Sequence, residues 1–180
     1  MARTELEIQA EYTPVAARIL GIDPGLRVTG YAIVEPGNRG PRVLEAGVIR
    51  VRNDAATLGD RLATIHRGIL EVIDEFCPSS VALEQVHSHP KFPRTALLLS
   101  HARGVIVLAA ALRGIPVSGY AATRIKKSLT GSGKAPKAQM QHAILTELRL
   151  VSLPEPHDVA DACAVALCHF QISRNRLALP

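Results

Sequence analysis

Apolar positions follow two different rhythms along this chain. Between residues 18 and 51 they come in short runs, with 18–22 reading as a buried strand that ends at Asp23. A second run, 28–35, and a third, 43–51, read the same way. Pro24-Gly25 is a turn signal, and PGNRGP at 36–41 is a hairpin-type loop. Three strands joined by short connections predict an antiparallel meander. Residues 1–17 are polar and aperiodic and read as a flexible N-terminal extension.

The period then changes. Leu58, Leu62, Ile65, Ile69, Val72, Ile73 and Phe76 form the stripe of an amphipathic helix over 57–76. Residues 80–83 form a brief apolar run ending at Glu84, read as a fully buried strand. Residues 95–112 read as a helix apolar on most faces, which requires cover on more than one side, from the sheet and from another helix or a second subunit. A strand over 116–120, a Lys-, Gly- and Ser-rich loop or short helix over 124–136, and helices over 137–150 and 158–172 complete the pattern. The prediction is an α/β fold: one domain over 18–173, a mixed five-stranded sheet with its first three strands antiparallel, flanked by helices, and a tail at 174–180.

Composition narrows the classes. Of 180 residues, 47% are hydrophobic and 3% aromatic, with no Trp, so the core must be aliphatic. No run of 18 consecutive apolar residues marks a membrane span, and the first residues lack a signal-peptide pattern, so a cytoplasmic protein is the default. Cys77, Cys163 and Cys168 are too few for a disulfide framework and read as packed thiols. The net charge of +5 matters less than its distribution. From Gln85 to Thr146 there is no Asp or Glu, while Lys91, Arg94, Arg103, Arg113, Arg124, Lys126, Lys127, Lys134 and Lys137 stand in that stretch. Such a field attracts polyanions, nucleic acid first among them.

Asp23 and Glu84 each close a predicted strand, and strand ends in such sheets open into a common crevice. Asp158 and Asp161 are three residues apart at a helix start and share a face. Four converging carboxylates repel unless cations lie between them. Their hard oxygens suit Mg²⁺ or Mn²⁺ rather than zinc, and two such ions in one site can bind the attacking water and the leaving oxygen of a phosphodiester. Each acid also has a structural reading: Asp23 as a turn former, Glu84 as a strand-end charge needing a partner, Asp158 and Asp161 as complements to a helix dipole.

The runs ILGIDPGLRVTGYAIVE (19–35), ALEQVHSHP (82–90), ARGVIVLAAALRGIPVSGYAATRIKKSLTGSGKAPKAQMQHAI (102–144) and DVADACAVALCHF (158–170) closely resemble the RuvC Holliday junction resolvases. The resemblance implies a ribonuclease H-like homodimer that makes paired nicks in four-way DNA junctions during recombination and repair. It implies Mg²⁺ or Mn²⁺ held by Asp23, Glu84, Asp158 and Asp161, with two ions per site. It implies DNA contacts from Lys126 and Lys137, nicks bearing a 5′-phosphate and a 3′-hydroxyl, and RuvA and RuvB as partners. The chain departs from the family pattern at His87, where a Phe that stacks on a junction base is common. Some relatives have His where Asp158 stands; here His157 precedes it, as a helper at the metals or a helix cap.

The loop after Glu84 carries His87, Lys91 and Arg94, placed to meet a base and its phosphate, with an ordinary proline-rich turn as the alternative. Arg124, Lys127 and Lys134 are further DNA-contact candidates. Gly131-Ser132-Gly133-Lys134 is not a Walker loop: Ala135 follows the Lys and Ser128 stands where the first Gly belongs. Three rivals remain: an ATP-binding domain of the actin and sugar-kinase type, a junction-binding module that does not cut, and a related nuclease acting on RNA in a hybrid.

Overall fold

Strand alternation decides which residues meet which helices. In the computed structural model, which describes residues 15–51, 57–86 and 93–177, β1 (Val15–Asp23), β2 (Val28–Gly37) and β3 (Gly40–Arg50) form the antiparallel meander. The turn between β2 and β3 shrinks to Asn38 and Arg39, because pairing runs on to Gly37↔Gly40 and Gly40 takes φ +118, open to glycine. β1 begins at Val15, three residues before the apolar run that marks it.

β4 (Pro78–Glu84) pairs parallel with β1, and β5 (Val117–Tyr120) pairs parallel with β4, giving the order β3-β2-β1-β4-β5. Among the described residues this is the mixed five-stranded sheet that the sequence predicts.

Helices cover both faces. α1 (Leu58–Phe76) opens on a capping box in which the Thr57 hydroxyl accepts from the Asp60 N–H at 3.1 Å while the Asp60 carboxylate accepts from the Thr57 N–H at 3.1 Å. It ends where Cys77 turns left-handed, at φ 46, and donates its N–H to the Ile73 carbonyl. α1 and α2 (Pro93–Ala111) bury Ile65, Ile69, Ile73, Ala102, Ile106 and Ala109 with Leu20, Ile22, Ile33, Val81 and Leu83 of the sheet.

The other face is packed by α5 (His157–Leu177), itself overlaid by α3 (Ala122–Thr130) and α4 (Lys137–Leu148). Here Ile19, Ala32, Val34 and Ala82 meet Ala162, Val165, Ala166 and Leu167. The 124–136 stretch, read as loop or short helix, begins inside α3, which ends where Gly131 turns left-handed. The last helix starts at His157 and runs to Leu177, beyond both predicted ends.

Cys163 and Cys168 are both fully buried on α5, and burial pushes the Cys163 thiol up to about 12, so it stays protonated. α5 is enclosed by sheet and helices together, so its two thiols need not share a face to be buried.

Among the described residues one helix, α2, is long and apolar enough to cross a membrane, over Arg94–Ala111. One stripe of it is packed on the sheet.

Candidate active site

The period of two along a strand places the first two acids. On β1, Leu20 and Ile22 face α1 and α2, so Ile19, Gly21 and Asp23 face α5. On β4, Val81 and Leu83 face α1 and α2, so Ala82 and Glu84 face α5. Ile22 pairs with Leu83. Asp23 and Glu84 therefore lie one step further along adjacent parallel strands, on the same face and at the same end.

Glycine brings the other two acids down onto them. Gly30 pairs with Asp23 across β1 and β2, and a Cβ on Gly30 would collide with the backbone carbonyl of Asp158. Gly21 lies under α5 in the same way, with Ala166 Cβ 2.6 Å from where its own Cβ would stand. The first turns of α5, bearing Asp158 and Asp161, thus rest on bare backbone. The turn after Asp23 is held by Thr29, which is fully buried. Its hydroxyl donates to the Gly25 carbonyl at 2.7 Å and accepts from the Gly25 N–H at 3.3 Å. The sequence signal for this contact was glycine inside a strand pattern, which marks close backbone approach.

The electrostatics of the site follow from this proximity. Burial, then the charges of Glu84, Asp161 and Asp158, push the Asp23 carboxyl up to about 7. Burial also raises Asp161, with Asp158 adding to the rise and Lys137 and His157 opposing it. Each of these acids is within electrostatic reach of others from distant parts of the chain. Among the described residues, no three His, Cys, Asp or Glu side chains form a closed metal-ligand group. Like charges with no cation between them repel. The donor set nevertheless fits a hard divalent ion: it is all carboxylate oxygen, and the mutual repulsion felt by Asp23 is what such an ion relieves.

Lys126 and Lys137 share a cleft of about 290 Å³ with Glu84 and Asp161, floored by Ile125, Met140 and Ala164. Met140 had no signal in the sequence beyond its helical position. His157 opens α5, is exposed, and lies close enough to Asp161 to draw its carboxyl down. The remaining cations disperse. Lys127 and Lys134 are exposed but do not line that cleft. Arg124 is exposed and lies near Cys168, two turns along α5 from Asp161, where it lowers a thiol that burial raises. Arg94 is exposed at the start of α2. Arg113 is neutralised by Asp74, Nε–Oδ1 and Nη2–Oδ2 both 2.7 Å. His87 and Lys91 lie outside the described residues.

Three comparisons bear on this arrangement. The family model "Crossover junction endodeoxyribonuclease RuvC" matches residues 19–169. A crossover junction endodeoxyribonuclease RuvC of Rhodopirellula baltica is 52% identical over 162 residues, covering 89% of each chain. One of Halorhodospira halophila is 48% identical over 152 residues, covering 84% of this chain and 89% of that one. Thermus thermophilus RuvC, solved in complex with a Holliday junction substrate, superposes with a TM-score of 0.82 at 30% identity, over 89% of this chain and 96% of that one.

Proposed function

The chain belongs to the RuvC family of crossover junction endodeoxyribonucleases, and from that premise we propose how its own residues resolve a four-way DNA junction. It is an endonuclease that resolves Holliday junctions on a ribonuclease H-like fold. The observation that carries the residue assignment is the convergence of Asp23, Glu84, Asp158 and Asp161 beside a cleft bearing Lys126 and Lys137.

The four carboxylates would hold up to two ions of the Mg²⁺ or Mn²⁺ type. Such ions, when bound, activate water and neutralise charge on the leaving oxygen, which leaves a 5′-phosphate and a 3′-hydroxyl. The rest falls to the chain. Strand ends and the seated α5 fix the carboxylates before substrate arrives, so little reorganisation is needed at the moment of reaction. Lys126 and Lys137 line the same cleft as Glu84 and Asp161 and would hold the phosphodiester against the acids as point charges. Lys137 also steadies Asp161 as a carboxylate. The exposed Arg94, Arg124, Lys127 and Lys134 would meet backbone phosphates of the junction arms away from that cleft, and the sequence adds His87 and Lys91 as candidates for the same role.

A two-fold homodimer would present two such centres to strands of like polarity. The stripe Leu97, Gly104 and Leu108 on α2, continued by Leu112 just past its end, supports it: the leucines are 66%, 50% and 44% exposed, and nothing lies within 4 Å of where a Gly104 Cβ would be. RuvA and RuvB are the proposed partners, and the compartment holding the DNA, the cytoplasm, is the proposed place of action.

The test is a labelled four-way junction, a plain duplex and an RNA–DNA hybrid, each incubated with Mg²⁺ or EDTA. Paired nicks in the junction alone, and only with Mg²⁺, are expected. Binding without cutting in either condition would leave a holding module instead. Lys126→Ala should weaken junction binding and make its salt dependence shallower by about one ion. An unchanged slope would remove Lys126 from the phosphate contacts.

A further inference from the structure

Arg103 is a cation that the reading above leaves without a task. It stands in the middle of α2, yet its guanidinium reaches the carboxyl end of the sheet. Nη2 is 3.1 Å from where a Cβ on Gly119 would be, and Cγ and Nε2 of Gln85 are each 3.3 Å from the same point. The direction follows from helix geometry. A helix linking two parallel strands runs antiparallel to them, and helical side chains lean towards the helix N-terminus. Arg103 therefore leans back to the end where Glu84 gives way to Gln85. Gly119, on the same sheet face as Leu83, leaves the space it occupies.

Among the described residues, none offers it a counter-charge. The Arg103 Nε is buried without a hydrogen bond. Among the described residues the guanidinium has no ion pair within 4 Å, and the stretch 85–146 contains no acid. Glu84 lies on the opposite face of the sheet. The contrast is with Arg113, ten residues further along the chain in the turn that follows α2, which the fold fits with a bidentate carboxylate. A half-buried guanidinium without an acid is costly on its own and is relieved by an incoming anion. Its planar fork matches a phosphate.

We propose that Arg103 is a DNA-phosphate contact, gripping the bound strand where it passes over the β4–β5 end beside Glu84. The proposal rests on the nuclease reading and adds to it a contact on the α2 face of the sheet, away from the Lys126–Lys137 wall. Gln85, whose Nε2 donates to the Gly119 carbonyl at 3.4 Å, flanks the same spot.

The experiment compares wild type, Arg103→Gln, Arg103→Lys and Gly119→Ala for binding to a labelled four-way junction in EDTA across a salt series. Arg103→Gln should lose on the order of tenfold in affinity, with the slope of log K against log salt shallower by about one. Arg103→Lys should keep the slope and lose a few-fold, since the charge remains and the fork is gone. Gly119→Ala should weaken binding with every charge retained, by displacing the guanidinium. A merely structural Arg103 would move the melting temperature and not the slope, so a folded Arg103→Gln with the wild-type slope overturns the proposal. If Arg103→Gln does not fold, wild-type affinity in Gly119→Ala overturns it instead. Failure of the wild type to bind the junction would bring down the nuclease reading and this contact with it. Wild-type binding with an unchanged slope in Arg103→Gln brings down the contact alone.

Discussion

Asp23 holds its proton up to about pH 7 in the folded, cation-free protein, because burial and then Glu84, Asp161 and Asp158 disfavour its charge. In the unfolded chain it loses that proton near the ordinary value of 3.8. Between about pH 4 and 7 the folded state therefore binds more protons at this group than the unfolded state. Stability consequently falls as pH rises through that window, by up to roughly 4 kcal/mol. Asp23→Asn removes the effect. Denaturant unfolding in EDTA should show the variant to be more stable than wild type by about 1–3 kcal/mol near pH 8, and equal to it near pH 4. It should also bind the junction without cutting it. A wild-type pH profile in the variant would remove Asp23 from the acid cluster. The sequence singled out the four acids that the fold brings together, Asp23 and Glu84 because each closes an apolar run, Asp158 and Asp161 because they stand three apart at a helix start. It overcounted the cations: Arg113 belongs to Asp74, and that pairing spans 39 residues.

At the scale of elements, the site depends on how closely α5 lies on the sheet. Gly30→Ala would drive a methyl group into the Asp158 carbonyl, and backbone cannot yield as a flexible side chain can. Overpacking of this kind costs about 1–3 kcal/mol, and more where nothing gives. The expected result is a lowered melting temperature together with loss of cutting, since Asp158 and Asp161 move with the helix. Normal cutting in a folded Gly30→Ala protein would show that the seating of α5 does not set the acids. α1 was the most legible element, because its apolar stripe over 57–76 matches the observed helix almost end to end. The helical part of 124–136 was less legible. α3 is only nine residues long, and its polar, basic sequence is also what a loop carries. The first strand was read too short because the apolar Val15, Ala16 and Ala17 follow a proline and a polar, aperiodic stretch and read as part of it.

Over the whole molecule, α2 has one side on the sheet and leucines on the other. Leu108→Asp should shift the protein from dimer to monomer in sedimentation, with little change in monomer stability, because Leu108 is half exposed. A wild-type monomer, or a variant still dimeric, would place the seam elsewhere. The sequence by itself determined the strand and helix order, the four acids and the acid-free cationic stretch, because periodicity and charge are local properties of the chain. Tertiary structure alone decided that Asp23 and Glu84 share a face, that Gly21 and Gly30 let α5 bring Asp158 and Asp161 to them, and which cations reach the cleft. Those outcomes depend on the register of β1 against β4 and on the spacing between helix and sheet. Both are set by packing among segments more than sixty residues apart, which no local pattern records.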